Sequence, residues 1–289
     1  MQLEAAMANT GQYAKNWEDL TFSDNYMFCA VMEDEKLCTQ MLETLLKIKV
    51  KELKRPVSEK MMQASYSSRG VRLDVYIQDS GRVFDLEMQT GNYDDLLMRA
   101  RYYQGVMDIK ETVHNTRYKD LKESYVIFIC LEDPFNLSSP IYTKKSTFIE
   151  TPNFSYNDKS HFIVYNASAY SKVKDKEVRA ILKYIYENKA ETSFTNQLNN
   201  SVNEAKTMPE LKDGYMDLWN FVEDEKDAST AEGKAEGMAE GKAEGKLESQ
   251  IASAENMLKD NLPFEKIAEY TGLSLERVEE LAKKVVVKA

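Results

Sequence analysis

Two alternating segments joined by a short turn are the feature of this chain that most constrains its fold. Residues 71–78 and 82–89 each alternate between apolar and polar residues, and Asp79–Gly81 lies between them as a turn signal. If the last two residues of that turn form the loop of a hairpin, counting outward along both strands pairs Asp74 with Glu87. The sequence therefore predicts an antiparallel hairpin with two acidic residues facing each other.

This pairing gives the hairpin an unusual charge arrangement. Directly opposed residues on one face of an antiparallel pair have Cβ atoms ~5 Å apart, so the carboxylates of Asp74 and Glu87 would repel each other. A divalent cation would offset the repulsion, because hard cations bind carboxylate oxygens. The alternative is a pair of carboxylates on a solvated face. Apolar residues flank both acids in the sequence, which favours the cation site.

Composition is that of an ordinary globular protein. The 289 residues are 43% hydrophobic and 30% charged, enough for one full domain and an appendage. The longest apolar run, at 125–131, is too short to span a bilayer, and no signal peptide is visible. Three cysteines without metal-ligand spacing fit core positions in a reducing cytoplasm. Neither a catalytic triad nor a phosphate-binding Gly loop followed by Lys-Ser or Lys-Thr is present.

The net charge of −10 argues against strong non-specific binding to nucleic acid, which requires cations near phosphates. It is compatible with a local basic surface. Such a stripe occurs between residues 47 and 60, where a solvated loop face and a DNA contact remain equally open. Its cations are Lys47, Lys49, Lys51, Lys54, Arg55 and Lys60.

Periodicity predicts the remaining elements of an α/β protein. Apolar residues at helical spacing indicate helices, and continuous apolar runs indicate buried strands. The predicted helices cover residues 24–32, 36–47, 94–108, 176–187 and 193–222, and the further strands cover 125–131 and 161–165. A strand that is apolar along its whole length is typical of a sheet covered on both faces.

Composition divides the chain into four segments. Residues 1–16 are polar and are expected to be a flexible N-terminus, and 17–225 form the main domain. Residues 226–250 contain a tetrapeptide repeat at 231–246, which reads AEGK, AEGM, AEGK, AEGK. Its Ala, Glu and Lys favour a helix, although each Gly costs roughly 1 kcal/mol relative to Ala. The repeat is expected to be an exposed helical connector that could self-associate, which makes a homo-oligomer through the C-terminal region an expected partner arrangement.

The last segment, residues 251–289, is predicted to be a small helical tail. Its pattern from Ile267 to Val278 resembles a helix-turn-helix, with Gly272 at a helix end and Ser274 capping the next helix. Several glutamates lie on the would-be recognition helix and would oppose DNA contact. An interaction or dimerisation module is therefore favoured over a base reader.

The acidic pair and its neighbours also resemble a known family. Asp74 followed by Glu87-x-Gln89 on the next strand is similar to the motif of the PD-(D/E)XK nuclease superfamily. The resemblance is closest to its transposase branch, the recombination-promoting nucleases. The ordered segments that carry it are 20–28, 70–76, 85–90, Arg99 with Tyr102-Tyr103, and 124–130, which together cover roughly residues 20 to 190.

The resemblance implies a restriction-endonuclease-like core, a mixed β-sheet flanked by helices, with a helical C-terminal extension. It implies a Mg²⁺-dependent endodeoxyribonuclease that acts on DNA in the cytoplasm, with Mn²⁺ as a substitute. Asp74 and Glu87 would bind the metal and Gln89 would position the attacking water. The alternative is a catalytically silent member that binds DNA or protein without hydrolysis.

Two positions depart from the superfamily pattern. Leu73 stands where the superfamily has Pro, and Gln89 stands where it has Lys. Gln can orient a water but supplies no positive charge to a phosphorane-like transition state. Arg99 and Tyr103 are four residues apart on a predicted helix and so share one face, where they are expected to support the site. An Arg–aromatic surface pair is the alternative.

Overall fold

The computed structural model describes residues 15–51, 53–62, 71–91, 93–112 and 117–286. The first fourteen residues of the predicted flexible N-terminus lie outside this range. The chain forms two compact units, with the division between Glu223 and Asp224. The predicted catalytic pair, the hairpin and the sheet all belong to the first unit.

Helices and strands occur in groups along the described part of the first unit: two helices, three strands, one helix, five strands and two further helices. The helices are α1 (Asn25–Met32), α2 (Glu35–Leu46), α3 (Leu96–Glu111), α4 (Lys176–Glu187) and α5 (Ser193–Lys206). The strands are β1 (Lys54–Met62), β2 (Val71–Asp79), β3 (Arg82–Gln89), β4 (Glu123–Cys130), β5 (Ile141–Thr143), β6 (Thr147–Phe148), β7 (Thr151–Ser155) and β8 (Ser160–Asn166). Short 3-10 turns occur at Trp17–Asp19, Tyr118–Asp120 and Ala167–Lys172.

Within the described residues, six strands form one mixed sheet in the order β1-β2-β3-β4-β8-β5, and β6 and β7 form a separate two-stranded sheet. Strands β1, β2 and β3 pair antiparallel, whereas β3, β4 and β8 run parallel. Strand β4, which is apolar from Tyr125 to Cys130, lies inside the sheet, as its sequence predicts. The α/β class and the mixed sheet flanked by helices are confirmed.

The hairpin has the predicted register. Asp79 pairs with Arg82, so Ser80 and Gly81 form the two-residue loop. Gly81 has φ +81°, a left-handed conformation that glycine adopts without steric cost. The regular pairing between the two strands runs as far as Val75 and Leu86.

Both faces of the sheet are covered. One face packs against α1, α2, α4 and α5 through a core that includes Phe84, Leu86 and Ile127. The other face packs against α3 through a smaller core that includes Val83, Phe128 and Met107. The three cysteines, Cys29, Cys38 and Cys130, are free and buried, as predicted.

Side-chain caps explain where several helices begin. The Asp34 carboxylate accepts hydrogen bonds from the amides of Lys36 and Leu37, and Asp175 caps α4 in the same way. Thr192 caps α5 in a reciprocal capping box. The stretch predicted as one helix over 193–222 is instead two helices. Pro209 begins the second one because it has no amide hydrogen to continue the first.

The second unit is helical. Helix α6 (Pro209–Lys259) crosses the division between the units and contains the AEG repeat, while α7 (Phe264–Thr271) and α8 (Leu275–Val286) follow it. Gly272 ends α7 with φ +71°, and the hydroxyl of Ser274 accepts a hydrogen bond from the amide of Arg277. These are the predicted cap positions. Self-association through this region, and the four segment boundaries, stay predictions.

None of the helices in the described part of the chain combines the length and apolar character that a bilayer crossing requires.

A close approach between α6 and α1 gives a test of this packing. A Cβ atom at Gly214 would lie 2.7 Å from the hydroxyl oxygen of Tyr26, which donates a hydrogen bond to the Leu211 carbonyl at 2.9 Å. We expect Gly214→Ala to lower the free energy of unfolding by about 1–2 kcal/mol, because the clash outweighs the gain in helix propensity.

The matched control is Gly105→Ala in α3, where a Cβ would meet no atom within 4 Å. This variant should gain up to about 1 kcal/mol from helix propensity alone. Urea denaturation of both variants measures the difference. Equal stabilisation by the two substitutions would contradict the close packing of Tyr26 on α6.

Candidate active site

The acidic pair lies on adjacent antiparallel strands, with Asp74 in β2 and Glu87 in β3. One step beyond the last regular pair, the register places the two residues opposite each other. The Asp74 amide donates a hydrogen bond to Glu87 Oε1 at 2.9 Å, and the Met88 amide donates to Asp74 Oδ2 at 3.1 Å. Each carboxylate is therefore held by the backbone of the other's strand.

Both carboxylates are almost completely removed from solvent, with 4% of Asp74 and 3% of Glu87 exposed. Burial raises the pKa of Asp74, and hydrogen bonding and nearby arginines only partly oppose this. Burial and the charge of Asp74 raise the pKa of Glu87 to about 8. The structure thus brings together the two predicted metal ligands in a setting that disfavours two uncompensated negative charges.

A third acid, Asp85, lies on the same face of β3 as Glu87. It was not identified as a site residue in the sequence analysis. It is fully buried, and both of its carboxylate oxygens lack a hydrogen-bond partner among the described residues. Burial, followed by the charges of Glu87 and Asp74, raises its pKa well above the usual range. Strict alternation of Asp85, Glu87 and Gln89 along β3 was the signal that could have identified it.

Asn25 is the second residue near the acidic pair that the sequence analysis did not identify. It is the first residue of α1, it is 1% exposed, and its Nδ2 has no hydrogen-bond partner within the described part of the chain. Its amide lies near Asp74 and opposes the rise in the pKa of that carboxyl group. Helix α1 therefore adds a polar group to the site from the opposite side of the hairpin.

Arg99 connects the acidic pair to Gln89. Its Nη2 lies 3.5 Å from Glu87 Oε2, and its Nη1 donates to Gln89 Oε1 at 3.0 Å. The Gln89 side-chain nitrogen donates to the Gly91 carbonyl, so both ends of this amide are held. The predicted support by α3 has a geometric basis, because the guanidinium of Arg99 faces the carboxylates.

Tyr103 lies one turn further along α3. Its hydroxyl is 3.4 Å from Arg99 Nε, and the guanidinium carbon lies 5.7 Å from the centre of its ring. Phe128 of β4 lies on the same guanidinium, with its ring centre at 5.2 Å. The two rings hold Arg99 in a partly dry position, where its charge interacts more strongly with the carboxylates than it would in water.

The residues present fit a divalent cation. Carboxylate and amide oxygens are the donors that Mg²⁺ and Mn²⁺ prefer. The raised pKa values of the carboxyl groups indicate too little positive charge nearby, and a bound cation would supply it. Within the described residues, no group of three or more His, Cys, Asp or Glu forms a complete ligand set. A cation on Asp74 and Glu87 would take its other oxygens from water and substrate, as Mg²⁺ commonly does.

Fold and site together define a class of α/β protein with an acidic pair on adjacent strands of a mixed sheet and a Glu-x-Gln sequence on the second strand. A family model described as PD-(D/E)XK nuclease family transposase matches residues 18–236. Because the match covers more than half of the chain, the protein belongs to this family. Its members are generally nucleases and typically use divalent metals. No curated protein and no solved structure matches the chain.

The raised pKa of Glu87 predicts an unusual dependence of stability on pH. Between the ordinary value of 4.5 and the raised value of about 8, the folded state holds a proton that the unfolded state releases. Without metal, the free energy of unfolding should therefore fall as pH rises through this window, by roughly 2–4 kcal/mol. Urea denaturation in EDTA at several pH values between 5 and 9 measures the slope.

Glu87→Gln removes the titrating group and keeps an acceptor for the Asp74 amide, so its stability should vary less with pH. The control is Glu204→Gln on α5, an exposed carboxylate away from the site, which should keep the parent's slope. If the free energy of unfolding of the parent rises between pH 5 and pH 8, the raised pKa of Glu87 in the folded protein is contradicted.

Proposed function

We propose that this protein is a Mg²⁺-dependent endodeoxyribonuclease of the transposase or recombination-promoting type, which hydrolyses phosphodiester bonds in DNA. Membership of the nuclease family supports the reaction class. The observation that carries the proposal is the set of reciprocal hydrogen bonds of Asp74 and Glu87 across the hairpin, which holds two carboxylates together at a cost that a divalent cation would offset.

In this proposal Asp74 and Glu87 hold the cation through their carboxylate oxygens. When bound, Mg²⁺ lowers the pKa of a coordinated water and neutralises charge on the phosphate. Gln89 positions the attacking water through its amide oxygen or nitrogen, since it lies on the same face of β3 as Glu87. Its present hydrogen bonds to Arg99 and Gly91 fix the orientation of the amide.

Arg99 supplies the positive charge that Lys supplies in the superfamily motif. Its guanidinium lies within 3.5 Å of Glu87 and 3.0 Å of Gln89, so the cation is at the end of the motif although it comes from a different element. A guanidinium can donate two hydrogen bonds to one phosphate and keeps its charge at every working pH. If Arg99 supplies this charge, a Glu-x-Gln motif without Lys is compatible with activity.

The second candidate is a member of the fold that binds DNA or protein without hydrolysis. The burial of the site favours it, because Asp74, Glu87 and Gln89 are each at most 4% exposed. The two candidates differ in metal-dependent strand cleavage, which is measured directly.

The first prediction from this proposal concerns the acidic pair. Asp74→Asn and Glu87→Gln should each lower nicking of supercoiled plasmid by more than about 100-fold with Mg²⁺ or Mn²⁺, because each removes a charged metal ligand. These variants are preferred to Ala, which would leave a buried amide without its acceptor in both cases, the Met88 amide for Asp74 and the Asp74 amide for Glu87. Parallel reactions in EDTA define the metal-independent background.

The same two variants should also lose the rise in melting temperature that Mg²⁺ or Mn²⁺ produces in the parent, because ligands that bind only the folded state stabilise it. Glu204→Gln is the control in both assays and should behave like the parent. Nicking by Asp74→Asn or Glu87→Gln at the parent's rate would exclude these residues from the reaction and favour the binding role.

The second prediction tests the exchange of charge between positions 89 and 99. Arg99→Gln should lower nicking by about 100-fold, which is typical for loss of a group that stabilises transition-state charge. Gln89→Lys alone should not raise activity, because the new ammonium would lie beside the Arg99 guanidinium. The double variant Gln89→Lys/Arg99→Gln should recover part of the activity lost in Arg99→Gln.

The double-mutant cycle compares the nicking rate of the double variant with the rate expected if the effects of the two single substitutions were independent. Far-UV circular dichroism and melting temperature establish that each variant is folded. If the double variant is as inactive as Arg99→Gln while remaining folded, a positive charge at position 89 cannot replace Arg99, and the proposed role of Arg99 is wrong.

A further inference from the structure

A basic cleft lies at the edge of the sheet opposite the carboxylates. The hairpin loop at Ser80 and Gly81 and the start of β4 line it, whereas Glu87 lies near the other end of β3. The cleft is open to solvent and has a volume of about 490 Å³, and its charged lining residues are Lys49, Lys51, Arg82, Lys159 and Glu123. Four cations against one carboxylate contrast with the net charge of −10 of the whole chain.

The charges of this cleft are only partly compensated. Arg82 is paired with the buried carboxylate of Asp79, and Lys49 is paired with Glu43 at 3.3 Å. Glu123 Oε1 lies 2.8 Å from His161 Nε2, within hydrogen-bond distance. Among the described residues, the Lys159 amino group donates to two backbone carbonyls, those of residues 119 and 121, at 2.9 and 3.0 Å, and forms no ion pair. The cleft therefore keeps a positive potential that would attract an anion or a phosphate chain.

Aromatic side chains stand exposed on the small β6–β7 sheet. Phe148 is 52% exposed and Phe154 is 56% exposed, and their rings are nearly parallel with centres 6.3 Å apart. Tyr156 is 41% exposed and stacks on Phe148 with centres 5.0 Å apart. Two exposed lysines, Lys144 and Lys145, precede this sheet. Rings that stack on each other in solvent leave free faces for a planar ligand.

The aromatic sheet and the basic cleft adjoin each other along the chain. Tyr156 is followed directly by Asn157, which lines the cleft, and then by Lys159 and the start of β8. Aromatic faces next to a row of cations are the pattern of surfaces that bind single-stranded nucleic acid, since bases stack on the rings and phosphates contact the cations.

We propose that the basic cleft and the aromatic sheet form a binding site for an unpaired DNA strand, separate from the carboxylates. In a duplex the faces of the bases are covered by their neighbours, so stacking on Phe148 and Phe154 selects unpaired nucleotides. This inference rests on the proposed function for the choice of DNA, and it narrows the substrate to DNA with a single-stranded segment. The site would hold that segment while cleavage takes place at the opposite edge of the sheet.

The test is the binding of a fluorescein-labelled 20-nucleotide single strand of mixed sequence to the full-length protein, measured by anisotropy in EDTA. The same strand annealed to its complement is the duplex probe. The parent should bind the single strand more tightly than the duplex. The double variant Phe148→Ala/Phe154→Ala should weaken single-strand binding by about tenfold or more, since stacking contributes about 1–3 kcal/mol per base.

Matched controls separate stacking from general effects of substitution. Tyr186→Ala removes a ring on α4 with the same exposure as Tyr156, and it should bind like the parent. Lys51→Gln should lower the slope of log affinity against log salt by about 0.7, the value for one phosphate contact on a single strand, whereas Lys174→Gln should leave it unchanged. Melting temperatures establish that all variants are folded.

Two outcomes would overturn the inference. One is parent-like single-strand binding by the Phe148→Ala/Phe154→Ala variant, which would also be the result if the surface served a protein partner. The other is equal affinity of the parent for single strand and duplex. Because binding is measured without metal, a protein that binds as expected but nicks no DNA would contradict the proposed nuclease and leave the binding site standing.

Discussion

The interaction on which the site depends is the exchange of hydrogen bonds between backbone and carboxylate across the β2–β3 hairpin. Asp74 and Glu87 each accept a bond from an amide of the facing strand. A one-residue slip of the hairpin would turn both side chains to the opposite face, where Phe84 and Leu86 pack against the helices. The loop at Ser80 and Gly81 therefore determines the position of the acidic pair as well as the path of the chain.

Burial makes the same arrangement energetically demanding. Three carboxylates lie on or near one face of the hairpin, and each has a raised pKa. Arg72 and Arg99 both oppose the rise in the pKa of Asp74. The Nη2 atom of Arg99 lies 3.5 Å from Glu87 Oε2, which is longer than a strong charge-assisted hydrogen bond. The sheet thus holds the site in a state that a divalent cation would stabilise, at the cost of some stability in its absence.

Local patterns were sufficient to predict the main elements of the first unit. Alternation located β2 and β3, the continuous apolar run located β4, and the helical spacing of apolar residues gave α4 with its observed ends. The Ser80–Gly81 loop fixed the register because two-residue hairpins permit few alternatives. The break between α5 and α6 was missed although Pro209 marks it, because apolar residues continue at helical spacing on both sides.

The site was only partly predictable for a different reason. Asp74, Glu87 and Gln89 lie in one hairpin, where spacing along the chain determines their positions in space. Asn25 reaches the site through the packing of α1 on the sheet, and no local pattern encodes that contact. Asp85 was visible in the alternation, but nothing in the sequence revealed that both of its oxygens would be buried without partners.

The burial of the three cysteines has a practical consequence for chemical labelling. Burial raises the pKa of the Cys38 and Cys130 thiols to about 12, so almost none of the reactive thiolate exists at neutral pH. Cys29 is also buried, with its sulfur directed at the Asp74 carbonyl at 3.4 Å. A cysteine introduced on the surface would therefore be the fast-reacting thiol in the native protein, and fluorophores or spin labels could be attached there without replacing the natural residues.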